Sequence, residues 1–243
     1  MVWRLVGALL TEWTARPGPR IAAGLAILVV GQTAAGTGGH GVSLSRAVLG
    51  GPPVTVLHGQ LQMGPGWPWL LLGLLFVVAH LSLLEHDAGV TAVTFVRGVS
   101  RRGWAVARLA VSAIGALGFL ALLLAVLMLM VVSGWRPGPF VSGSTAWDLG
   151  VWALTLISLG WVQCAVAFVT TPWVGMTTAV LLLAVAVYGG NLAPFIPMAQ
   201  SLVALHNLPG TLNVADGAGY VLFWTLLAGT VVWAVAEVRV GYR

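Results

Sequence analysis

The chain predicts an all-α integral membrane protein with six transmembrane helices, and three observations carry that prediction. Hydrophobic residues make up 59 % of its 243 positions and charged residues only 7 %, against about 25 % charged residues in a soluble domain. Mean hydropathy is +0.98. Apolar stretches long enough for a bilayer core of about 30 Å, which needs about 20 residues of helix, recur six times along the chain.

The first candidate span is Ile21 to about Gly36, short and glycine-rich. The second runs from Trp67 to Leu84 and the third, the longest, from Trp104 to Val132. The fourth covers Leu149–Val169, the fifth Trp173–Gly190 and the sixth Ala218–Val238. Pro172 separates the fourth from the fifth and suits a tight hairpin, because proline cannot continue a helix through its missing N–H. All six spans belong to a single transmembrane domain over residues 1–243.

Arginine placement orients the spans. With an even number, both termini share a side with the connections at 85–103 and 170–173. That side holds Arg4, Arg16, Arg20, Arg97, Arg101, Arg102, Arg108, Arg239 and Arg243, whereas the other holds Arg46 and Arg136. Nine against two is the asymmetry of the positive-inside rule, so both termini are expected in the cytoplasm. Trp67, Trp69, Trp104, Trp147 and Trp173 stand at span ends and are expected in interfacial belts, where an apolar ring with one N–H donor is favoured.

Ahead of the first span, Val2, Leu5, Leu9 and Trp13 recur at helical spacing. They predict an amphipathic helix over residues 1–15 lying along the cytoplasmic interface, followed by an Arg-Pro-Gly-Pro-Arg turn. Its apolar stretch is broken by Thr11 and Glu12, unlike the core of a cleavable signal peptide.

Missing residues exclude several chemistries. All eleven basic residues are arginine. Without lysine there is no P-loop to hold ATP and no Schiff base. A single cysteine, Cys164, excludes CxxC pairs and intrachain disulfides. No HExxH or GxSxG pattern occurs. The net charge of +5 is spread along the chain rather than gathered in a patch, which fits a topology signal and implies no nucleic-acid partner.

The segment after the second span begins Glu85-His86-Asp87 and continues AGVTAVTFVRGVSRRGWAVARL. It is too polar to cross. Val90, Val93 and Val96 or Arg97 share a helical face, Thr94 lies among them, and Gly98 follows as a breaker. A short helix here can dock into a partner and pass displacement to the two spans it joins. Arginines in this position also anchor helix ends in anionic headgroups, at about 1 kcal/mol each, and the two roles are compatible.

An interfacial amphipathic helix, six spans, a glutamate at the end of the second and the stretch RGVSRRGWAVARL before the third together resemble the permease subunits of type-2 ABC exporters. The resemblance covers the whole chain by topology, and its local motif is Glu85 to Leu109. It implies that Val90–Gly98 is the coupling helix, Glu85 the acidic residue ahead of it, and Ser100-Arg101-Arg102 the return to the membrane. Glu85, His86, Asp87, Val90, Val93, Thr94, Arg97, Arg101 and Arg102 would then face an ATP-binding cassette subunit. ATP and Mg would sit on that partner, leaving no cofactor on this chain. One six-helix bundle leaves little room for a lined passage, so a homodimer of permeases is expected, two different permease chains being the alternative, moving a lipophilic or amphipathic cargo across the bacterial plasma membrane in contact with membrane lipids. A haem-delivery permease of similar architecture is the alternative of the same class.

Between the fifth and sixth spans, residues 191–216 are too apolar for a free loop and too broken by Pro194, Pro197 and Pro209 to cross. They predict a re-entrant or interface-lying element on the outer side, such as members of that family carry. The outer segment 38–66, rich in Gly and Pro with His40 and His58, reads as a loop and offers no metal site. At membrane depth, Gln32, His80 and Gln163 are candidate pathway residues. The competing reading for each is a polar side chain bonded across to a neighbouring helix. Gly115 and Gly118 permit close helix packing, and Asp148 and Glu237 stand at span ends where charge is ordinarily solvated. An intramembrane enzyme built on His80, Glu85, His86 and Asp87 is the remaining class, opposed by the roughly 100° rotation between neighbours on a helix.

Overall fold

A computed structural model of the full chain describes residues 2–36, 48, 54–57, 60–63, 67–96, 100–135, 145–188, 196, 198, 199, 201 and 214–239. The helices are α1 (Val2–Ala15), α2 (Pro17–Gly36), α3 (Trp67–Val96), α4 (Arg101–Val132), α5 (Thr145–Val169), α6 (Pro172–Tyr188) and α7 (Val214–Arg239). The all-α expectation describes the bundle but not the whole chain. Strands β1 (Val54–Leu57) and β2 (Gln60–Met63) pair antiparallel within the segment read from sequence as loop, with Leu57 opposite Gln60 and Val54 opposite Met63. A β-branched run joined to its partner through His58-Gly59 is a hairpin signal, one that the surrounding Gly and Pro obscure.

Among the described residues, five helices are long and apolar enough to cross a membrane: 17–35 within α2, 68–85 within α3, all of α4, 146–169 within α5 and 219–236 within α7. The sixth, α6, is equally apolar but has 17 residues, about 25 Å at 1.5 Å per residue. Outward faces carry large apolar side chains, among them Leu28, Leu117, Leu129, Leu181 and Phe223, as a multi-pass membrane protein requires where lipid replaces water.

Helix α5 is the hub, touching α3, α4, α6 and α7, while α2 lies on α3 and α4. Glycines set the closest approaches. A Cβ on Gly175 of α6 would come 2.6 Å from the backbone oxygen of Gln163 in α5, and one on Gly229 of α7 would come 2.7 Å from the Trp161 ring. The Trp161 indole also donates to the Leu109 carbonyl of α4 at 3.1 Å, tying three helices together.

Three of the sequence expectations change. First, α3 runs unbroken to Val96, so residues 90–96 form its last turns rather than a separate coupling helix. Gly89 alone costs about 1 kcal/mol and does not end a helix; Arg97 and Gly98 lie outside the described residues. Second, α1 has the expected apolar face, but protein covers it: Val6, Leu9 and Trp13 pack on Ala22, Ala79, Leu83, Ala107 and Val111. Third, Trp69 and Trp104 point inward. Trp69 packs against Trp152, ring centroids 5.9 Å apart, and Trp104 against Phe168 at 4.8 Å. Trp147 and Trp173 are exposed as expected of an interfacial belt.

Most of residues 191–216 lies outside the described residues. Met198, Ala199 and Ser201 are fully buried, and the first two join the main core together with Val48 from the first outer segment. Asp148, expected in solvent, is also buried; it sits in the first turn of α5, where the helix dipole favours a carboxylate.

Candidate functional site

Two polar assemblies lie in and beside the arginine-rich end of the bundle, where α1, the end of α3 and the start of α4 meet. The first is internal. His80 of α3 is 0 % exposed, and its Nδ1 lies 3.2 Å from Gln163 Oε1 of α5. The amide Nε2 of Gln163 donates to the Val77 carbonyl at 3.2 Å, so one glutamine grips two successive turns of α3. Cys164 Sγ approaches His80 Nε2 at 3.9 Å. Phe76 stacks on the imidazole at 5.9 Å and the Trp13 ring meets it edge-on at 6.5 Å.

Arg108 extends this cluster toward the α4 terminus. It is buried, with Nη1 3.5 Å from the Leu83 carbonyl and its guanidinium 5.5 Å from the Trp104 ring centroid. Sequence reading counted Arg108 only as a topology signal. The clue was its depth: seven residues into a helix that starts at Arg101 is about 10 Å, beyond easy reach of water.

The second assembly is an open cleft of about 720 Å³ between the α1–α2 turn and α3, lined by Glu12, Ala15, Arg16, Pro17, Gly18, Val78, Leu81, Ser82 and Glu85. Its wall is built by hydrogen bonds to Ala79 and Ser82 of α3. The Trp13 indole donates to the Ala79 carbonyl at 2.8 Å and to Ser82 Oγ at 3.1 Å, and Arg16 donates to the Ser82 carbonyl at 3.1 Å. Arg16 also pairs with Glu12 at 3.6 Å, one helical turn away. The sequence reading did not single out Glu12, Arg16 or Ser82, because their convergence depends on how α1 folds back.

The predicted residues are therefore separated. His80 and Gln163 meet, as the cross-helix reading expected, but inside one bundle, where both are fully buried. Gln32 is exposed on α2. Glu85 is exposed on the cleft rather than beside His80, so the acid/base grouping of the enzyme reading does not converge on those two. The backbones of His86, Asp87, Val90, Val93 and Thr94 lie in α3, and their side chains lie outside the described residues. Arg101 and Arg102 are exposed at the start of α4, which Ser100 caps by accepting from the Gly103 N–H at 3.0 Å. Arg102 also stands 4.9 Å from the Trp233 ring centroid of α7. Among the described residues no three His, Cys, Asp or Glu side chains gather as a metal site.

The internal cluster acts as a clamp between α3 and α5, and its energetics can be measured. Gln163→Leu strands His80 Nδ1 and is expected to cost about 1–2 kcal/mol. In a double-mutant cycle with His80→Phe, the coupling should be about 0.6 kcal/mol. Reversible unfolding in mixed micelles reads both, and strict additivity would rule out the clamp.

No protein-family model, curated protein or solved structure matches this chain.

Proposed function

We propose that this chain is the membrane-spanning subunit of an ATP-driven type-2 ABC exporter in a bacterial plasma membrane, with both termini cytoplasmic. Two copies form the pathway for a lipophilic or amphipathic cargo. An ATP-binding cassette subunit, carrying ATP and Mg, docks on the segment from Glu85 to Arg102. The chain itself binds and transmits motion and makes or breaks no bond.

The α3–α4 hairpin carries this reading. Thirty residues of α3 and thirty-two of α4 extend about 45 Å each, some 15 Å more than a bilayer core. The excess of α3 lies after Glu85, on the way to Arg101 and Arg102 at the start of α4. A rigid protrusion continuous with two spans converts a push at its tip into tilt within the membrane. Helix α1, bonded to α3 and packed on α4, moves with it. The burial of Met198, Ala199 and Ser201 supports a re-entrant outer element, and the six apolar helices support six spans.

The test is capture. The tagged full chain, expressed with the P-loop cassette ATPases of its source genome, is expected to co-purify with one of them and change its turnover. Val90→Asp with Val93→Asp at the hairpin tip should reduce capture about tenfold without loss of helical circular dichroism. A chain that captures no ATPase, or captures it equally well with both aspartates, would refute the exporter reading.

A further inference from the structure

We infer that the cleft between the α1–α2 turn and α3 is a binding site for an amphiphile with a cationic, ammonium-type head. The α3 wall is a single helical stripe: Val78, Leu81, Ser82 and Glu85 stand at i, i+3, i+4 and i+7. Along about 10 Å of helix it grades from apolar side chains to a carboxylate. Val78, at the apolar end, is 42 % exposed, so hydrocarbon surface is open to a ligand there. Across from it, Ala15, Pro17 and Gly18 keep the second wall low and smooth.

Charge decides the head group. Glu12 and Glu85 against Arg16 leave the cleft one negative charge, within a chain whose net charge is +5. Arg16 is already committed to Glu12 and to the Ser82 carbonyl, so little of its guanidinium is left for an anion. Glu85 is exposed at the mouth, and among the described residues Arg16 is the one cation lining the cleft. An alkylammonium can lay its chain along Val78 and Leu81 and donate N–H groups to Glu85. Charge-assisted bonds of this kind are among the stronger ones.

Two sources share this chemistry: an ammonium-headed membrane phospholipid and a free cationic amphiphile. As a loading point for cargo the site rests on the exporter reading. The binding does not, and it is measured on this chain alone, so failure to capture an ATPase leaves the result standing.

The full chain in neutral maltoside micelles is titrated with dodecylammonium and, separately, with dodecyl sulfate. Dodecylammonium is expected to bind more tightly. Glu85→Gln should weaken it about tenfold and leave dodecyl sulfate unchanged, and Val78→Trp should weaken it by occupying the apolar end. Circular dichroism and gel filtration confirm that both variants fold. Native mass spectrometry from bilayers of phosphatidylethanolamine and phosphatidylglycerol separates the sources. Selective retention of phosphatidylethanolamine that is lost in Glu85→Gln assigns the site to lipid; dodecylammonium binding without that retention assigns it to a free amphiphile. Equal affinity for the two detergents, or indifference to Glu85→Gln, overturns the proposal.

Discussion

Trp13→Ala is expected to release α1 from the bundle, at a cost of about 3–5 kcal/mol, the usual range for deleting a buried aromatic ring. The ring fills the space left by a missing side chain, since a Cβ on Gly115 of α4 would collide with its outer carbons. Its N–H is bonded to α3, so one side chain joins three helices. Trypsin cleavage after Arg20 should accelerate in step with the loss of stability, the Arg16–Pro17 bond being resistant. Trp13→Phe, which keeps most of the packing but no donor, should cost about 1 kcal/mol. The reciprocal change, Gly115→Ala, should cost about 1–3 kcal/mol through overpacking and be relieved by a second change, Trp13→Leu. Gly118→Ala, three residues along, meets no atom within 4 Å and should be neutral or slightly stabilising. Equal effects at Gly115 and Gly118 would show that α1 does not dock there.

Gly175→Ala is expected to pry α5 from α6. Its methyl would meet the backbone oxygen of Gln163 at 2.6 Å and Ala167 Cβ at 3.1 Å. A carbonyl locked in a helix cannot rotate away, unlike the end of a flexible side chain, so the helices themselves must separate. The expected cost is about 2–3 kcal/mol, at the upper end of overpacking. The same residue, Gln163, holds His80 through its side chain. Gly175→Ala should therefore be non-additive with His80→Phe, and additive with a change at Gly118. Thermal unfolding of the three single and two double variants in detergent decides it, and simple additivity with His80→Phe would separate the glycine contact from the polar clamp.

How far the chain could be read in advance depends on the kind of question asked of it. The apolar spans, the helical periodicity of α1 and the polar segment after Leu84 were legible because each is a property of one stretch of sequence. The candidate site was legible in part. His80 and Gln163 stood out as polar residues in apolar surroundings, but nothing in either stretch said that they would bond to each other. Arg108 was hidden among the other arginines, Glu12 read only as a break in an apolar stretch, and Arg16 only as a topology charge in a turn.

Hydrophobicity and arginine distribution, summed residue by residue, were enough to mark out a set of apolar helices compatible with a multi-pass membrane protein and which ends of those helices are arginine-rich. Only the tertiary structure decided that Trp69 and Trp104 turn inward, that Trp13 occupies the gap at Gly115, and that α3 runs on past Glu85. It also decided that a carboxylate, an ion pair and an apolar stripe share one cleft. The physical reason is that burial of a segment is an additive property of its own side chains. Contact between helices depends on pairs, on which glycine leaves room for which ring and which carbonyl faces which donor, and those pairs exist only once the chain has folded.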